Sequence, residues 1–84
     1  MSAINQERAI YRGQLAEKRE EEVKLTSKGK ILRTNLRIAL NQTISIEQLD
    51  PEAISDQGME LGGLISDLRQ VQAEIGQIEA ILNG

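Results

Sequence analysis

The chain has 84 residues and a mass of 9.3 kDa, with 39% hydrophobic and 27% charged residues and a net charge of −3, which leaves room for one small soluble or coiled-coil domain. It contains no Cys, His, Trp or Phe, and Tyr11 is its one aromatic residue. A thiolate nucleophile, a Ser-His-Asp triad, a haem ligand and a structural zinc site all lose their central atoms, so the sequence reads as non-enzymatic, with no cofactor and no metal.

The start Met1-Ser2-Ala3-Ile4 has neither a basic n-region nor an apolar h-region, and runs such as Ile38-Ala39-Leu40 are far too short to span a bilayer. No signal peptide, no membrane association and a reducing cytoplasmic location are the expectations, the last because no cysteine is present to form a disulfide. A chain of this length buries roughly 60 to 65% of its unfolded surface. Without aromatics the core must be Ile, Leu, Val and Ala, a composition that suits helix on helix.

From Ser2 to about Leu40 the chain has no proline, two glycines (Gly13 and Gly29) and abundant Ala, Glu, Lys, Arg, Gln and Leu, which predicts one long helix. Its apolar or small residues fall at Ile4, Tyr11, Leu15, Leu25, Gly29, Leu32, Leu36 and Ala39, in steps of three, four or seven. Arg8, Lys18 and Glu22 occupy the missing positions, so this seam is weakly apolar in its middle. Ile31, Ile38 and Leu40 widen the apolar face near its end.

Residues 41–50 read as a connector, with capping-box spacing between Ser45 and Gln48 that predicts one helical turn over Ile46 to Leu49. Asp50-Pro51-Glu52-Ala53 is the strongest local signal. Asp50 is placed as N-cap, Pro51 at the first helical position gives up an N–H that would be unpaired anyway, and Glu52 sits at the positive end of the dipole. Leu49 and Ile54 have the spacing of a hydrophobic staple.

The second helix carries Ile54, Leu61, Leu64, Leu68, Val71, Ile75, Ile78 and Leu82, in alternating steps of three and four from residue 61 onward. Gln57 is its polar position, and Ile65 and Ile81 flank it. Gly58, Gly62, Gly63 and Gly76 each disfavour a helix interior by about 1 kcal/mol relative to Ala, and a kink at Gly62-Gly63 is the main risk to the continuity of this helix.

The fold expected is all-α: an antiparallel two-helix hairpin, coiled-coil-like, with helix 1 about 2–40, connector 41–50 and helix 2 about 51–83, completing a helical bundle by oligomerisation. Residues whose numbers sum to about 92 then face one another, so that Leu32 meets Leu61, Leu25 meets Leu68 and Tyr11 meets Leu82. Val71 and Ile75 fall opposite Lys18 to Glu22, which offer little apolar surface. The expectation is that another chain covers them. The interface is accordingly placed on Leu61, Leu64, Ile65, Leu68, Val71, Ile75, Ile78 and Leu82, with a homo-oligomer, a dimer first, or a partner protein as its occupant.

Residues 1–40 carry nine Lys and Arg against five Glu, whereas residues 41–84 carry Arg69 against eight Asp and Glu. Such asymmetry favours antiparallel or hetero-pairing. Lys24, Lys28, Lys30, Arg33 and Arg37 form a purely basic stretch with two readings: a stripe of phosphate contacts for nucleic acid, or a solvated face opposing the acidic helix. The low isoelectric point and the lack of stacking aromatics favour the second. Glu20-Glu21-Glu22 point in different directions around a helix and read as a solvated charge run rather than a cation site. Ser27-Lys28-Gly29-Lys30 lacks the upstream glycine of a phosphate-binding loop, since Lys24 stands there. Gly58, Gly62 and Gly63 with Gly29 read equally as close-approach points, a hinge, or tolerated surface glycines.

In composition over its whole length, with Leu49-Asp50-Pro51-Glu52 as a helix start, the chain is similar to small uncharacterised coiled-coil hairpins encoded in prophages. Secreted Trp-Xaa-Gly hairpins and type III secretion needle subunits share the size and architecture, but their turn residues differ from Asn41-Gln42-Thr43. These resemblances imply a helical hairpin and carry no function with them. The function expected is a structural or protein-interaction module acting through its coiled-coil seam. The alternative is a small nucleic-acid-associated regulator binding through Lys24 to Arg37.

Overall fold

The computed structural model describes residues 3–84, so the expected helix start at Ser2 and the seam position at Ile4 lie outside what it describes in full. Helix α1 runs Ala3–Ala39, a single 3-10 turn covers Ile46–Gln48, and helix α2 runs Pro51–Asn83. The two helices lie against each other as an antiparallel hairpin 67 Å long and 14 to 17 Å across. Among the described residues there is no strand, and no helix is long and apolar enough to cross a membrane.

The connector is built from side chains that replace helical hydrogen bonds. Asn41 Oδ1 accepts from both the N–H and the hydroxyl of Thr43, at 3.0 and 2.7 Å, which turns the chain away from α1. The expected turn forms over Ile46–Gln48, and the Ser45 N–H donates to Gln48 Oε1 at 3.3 Å. Asp50 Oδ1 accepts from the N–H groups of Glu52 and Ala53 at 3.0 and 3.2 Å, so α2 starts where the Asp-Pro signal puts it.

Helix α2 passes through Gly62-Gly63 without a break, as one helix of 33 residues. The register is the one that sums to about 92. Lys18 reaches Glu74 at 2.8 Å, and a methyl group built on Gly29 would come within 3.0 Å of Leu64 Cδ2.

The core is the seam itself. Leu32 of α1 and Leu64, Val71, Ile75 and Ile78 of α2 are buried, while Tyr11, Leu15, Leu25, Leu36 and Ala39, with Ile54, Leu61, Leu68 and Leu82, are half-buried between the helices. The expectation that Val71 and Ile75 lack cover within the chain is corrected here: they are 4% and 8% exposed, and among the described residues it is α1 that packs on α2. Arg8, Lys18 and Glu22, which looked like holes in the seam, are themselves half-buried. Long charged side chains lay their methylene stems along apolar surface and keep only their heads wet. That is how Lys18 and Glu22 complete the seam opposite Ile75 and Val71.

Candidate interaction surfaces

Seven of the eight residues expected at an interface, Leu61, Leu64, Leu68, Val71, Ile75, Ile78 and Leu82, occupy the seam between α1 and α2. Ile65 alone lies outside it, on the flank, and is exposed. The surface left to another molecule is therefore made by residues beside and behind the seam. Ile31 and Ile38, at 62% and 69% exposure, stand two helical turns apart on one face of α1, and Ile10, Val23, Met59 and Ile81 are exposed elsewhere along the rod.

The open end of the hairpin is held by charge. The Arg8 guanidinium donates to the Leu82 carbonyl at 2.6 Å, supplying a partner to one of the last carbonyls of α2 and a cation to its negative end. The Arg19 guanidinium pairs with Glu79 at 2.7 Å. Lys18 lies between Glu74, at 2.8 Å, and Glu21, at 3.8 Å. Its hydrogen bond to Glu74 raises the Lys18 pKa, and the same bond holds the Glu74 carboxyl below the usual carboxylate range. Glu47 is also lowered, first by its own backbone N–H and then by the Ser45 hydroxyl, at the start of the 3-10 turn.

The three consecutive glutamates separate. Glu20 pairs with Lys24 on the outer face, Glu21 sits on a flank beside Lys18, and Glu22 enters the seam. Among the described residues no three acidic side chains converge as a cation site would need.

The basic stretch also divides. At 100° per residue, Lys30, Arg33 and Arg37 turn to one flank of the hairpin, and Lys24 and Lys28 turn to the other. Side-chain geometry bears this out. Lys30 and Arg33 line a shallow groove of about 260 Å³ with Thr26, Gly29 and Ile65, whereas Lys28 lines a groove on the opposite flank together with Glu60 and Asp67. Among the described residues Lys30, Arg33 and Arg37 make no ion pair within 4 Å, and all three are exposed, as on a solvated face.

Extending the same helical positions along both helices gives two unlike flanks. On one lie Arg12, Arg19, Lys30, Arg33, Arg37 and Arg69, with Glu79 as the single carboxylate, already paired to Arg19. The other carries Glu7, Glu17 and Glu21 from α1 and Asp56, Glu60, Asp67 and Glu74 from α2, against Lys24, Lys28 and the ammonium of Lys18, which reaches this flank to pair with Glu74 and Glu21. The contrast that reads along the sequence as basic helix against acidic helix becomes, in the folded hairpin, a contrast between its two broad faces.

Of the glycines singled out, only Gly29 marks a close approach. An added Cβ at Gly58, Gly62, Gly63 or Gly76 meets nothing within 4 Å. No sequence signal separates these five positions until the register places Gly29 in the seam opposite Leu64. No family model, curated protein or solved structure matches the chain.

Proposed function

We propose that the protein is a non-enzymatic structural module that acts by protein–protein contact, self-associating or docking on a partner as a preformed helix pair. The observation that carries this reading is the exposed aliphatic surface remaining after the hairpin has closed its own seam, above all Ile31 and Ile38, two turns apart on one face of α1. An exposed isoleucine is unremarkable singly, but a repeated, rimmed set on a rigid rod is what an interaction surface looks like. The docking surface is the outside of the hairpin, since the seam is already filled.

Sedimentation equilibrium tests it. The expected result is an average mass above 9.3 kDa that rises with concentration and falls for Ile31→Ser with Ile38→Ser. A monomer throughout, combined with no partner retained from extracts of the native host, overturns it.

A second reading, binding of nucleic acid, is supported by the unpaired cations Lys30, Arg33 and Arg37 on one flank with Arg69. Counterion release predicts an affinity that drops steeply with salt. Absence of any mobility shift of duplex or single strands at low salt removes it.

A further inference from the structure

We infer that copies of this chain associate through unlike flanks, the basic face of one hairpin stacking on the acidic face of the next. The inference rests on the interaction-module reading and specifies its partner as a second copy. Three observations lead to it. First, the two faces are opposite in sign over the length of the rod: six cations with one paired carboxylate on one, seven carboxylates with Lys24, Lys28 and the Lys18 ammonium on the other.

Second, each face also carries apolar surface. The basic face holds Ile65, in its groove beside Gly29, with Val23. The acidic face holds the more prominent set, Ile10, Ile31, Ile38 and Ile81. Charge then sets the orientation and aliphatic contact supplies the burial, the division of labour expected of a specific interface. Third, the size is sufficient. A flank 67 Å long and 14 to 17 Å across can bury the ~800 Å² per partner of a standard interface without being fully covered.

The arrangement is heterologous. Joining two copies by the same face would set Lys30, Arg33 and Arg37 of one against those of the other, or carboxylates against carboxylates, so a symmetric pair through like flanks is disfavoured. A heterologous contact leaves a basic face open at one end and an acidic face at the other. It grows until it closes as a ring or continues as an open stack. A nucleic acid on the basic face is the competing occupant, but it would leave the aliphatic residues of the acidic face uncovered.

The experiment is a charge-swap complementation, read by light scattering and sedimentation velocity, with circular dichroism to show that every variant is a folded helix pair. One variant reverses the basic face (Lys30→Glu, Arg33→Glu, Arg37→Glu). The other reverses the acidic face (Asp56→Lys, Glu60→Lys, Asp67→Lys). Among the described residues none of these six side chains makes an ion pair.

The wild type is expected to exceed a dimer as concentration rises at low salt, and to dissociate toward 9.3 kDa in about 0.5 M salt, where the screening length shrinks to a few ångströms. Each variant alone, with two like-charged faces, is expected to be monomeric. An equimolar mixture of the two is expected to assemble again. Wild-type assembly that both variants retain overturns the unlike-flank contact and leaves the interaction-module reading standing. A wild type that is monomeric at every concentration overturns self-association itself. A monomer that shifts duplex DNA, and loses the shift only when the basic face is reversed, overturns both in favour of the polyanion.

Discussion

In the half of the hairpin beside the connector, α1 offers the seam Leu25, Gly29, Leu32, Leu36 and Ala39, whereas in the open half it offers Arg8, Tyr11, Leu15, Lys18 and Glu22. The two linings differ sharply in polarity, yet Val71 and Ile75 in the open half are as well covered as Leu64 in the other. A seam position is a place for volume before it is a place for an apolar residue. Four methylenes of a lysine cover roughly as much as a leucine does, provided the ammonium has somewhere to go. Glu74 is that place, at 2.8 Å.

The largest test of this equivalence is Ile75→Asp. If the open half is a true core, the buried carboxylate costs several kcal/mol, comparable to the whole stability of so small a fold, and the helical signal is lost. Ala73→Asp, on the exposed side of α2, is expected to leave the melting curve nearly unchanged. Should Ile75→Asp stay folded and merely lose an associated copy, the cover at that position comes from another chain and the two halves are not equivalent. A milder pair sharpens the point: Leu64→Ala and Ile75→Ala are each expected to lose about 2 to 4 kcal/mol in chemical denaturation.

Next in size comes a defect in the connector half. Gln57 sits at a seam position with its Oε1 buried and lacking a hydrogen-bond partner. Gln57→Leu removes an unsatisfied acceptor and adds apolar contact beside Leu36, so the midpoint of urea unfolding is expected to rise, by about 1 to 2 kcal/mol in stability. An unchanged or lower midpoint shows that the amide has a role that its surroundings in the single hairpin do not reveal.

Smaller still is a contrast between glycines. Gly62→Ala introduces a methyl into open space and is expected to raise stability by about 0.5 to 1 kcal/mol through helix propensity. Gly29→Ala gains the same propensity but presses a methyl to 3.0 Å from Leu64 Cδ2, so its net effect is expected to fall below that of Gly62→Ala. Thermal unfolding of the two variants side by side reads the difference. Equal gains at both positions show that Leu64 moves aside freely and that the seam is looser at this layer than its burial indicates.

Much of this was legible in the sequence, for reasons that differ from residue to residue. Asp50-Pro51 is local chemistry, acting within three residues, and therefore needs no knowledge of the rest of the chain. The seams and their register follow from spacing alone. What composition hides is that Lys18 and Glu22 act by their stems, because a hydropathy reading scores the charged head and ignores the carbons below it. The arrangement of the basic run from Lys24 to Arg37 is hidden for a related reason. Neighbours in sequence are spread around a helix, and only the wheel, combined with the antiparallel partner, shows that Lys28 and Arg33 end on opposite faces. The same construction, applied to both helices at once, is what exposes the contrast between flanks.

The smallest effect concerns pH and isolates the one interaction that lets the open half tolerate a lysine. The Glu74 carboxyl is lowered by its bond to Lys18, so its contribution to stability is present above the ordinary glutamate range, near pH 4.3, and is lost as pH falls through the depressed value. Lys18 is raised by the same bond, so its contribution is present below the ordinary lysine range, near pH 10.4, and is lost as pH rises through the elevated value. Between these limits the bridge is constant. Both side chains are 31% exposed, so solvent screens the pair in part, and the effect is expected to be a small shift in melting temperature. Other carboxylates titrate over the same acid range, so the measurement is a difference: wild type against Glu74→Gln, by circular dichroism from neutral pH to about pH 2. The wild type is expected to melt higher at neutral pH, and the gap is expected to close at the acid end. Lys18→Met supplies the complementary control, keeping the stem over Ile75 while deleting the charge. It is expected to lose the pH-dependent difference but not the cover, whereas Lys18→Ala loses both and melts lower. If Lys18→Met and Lys18→Ala melt together, the stem contributes nothing, and the burial of Ile75 owes more to its neighbours on the seam than to the lysine opposite.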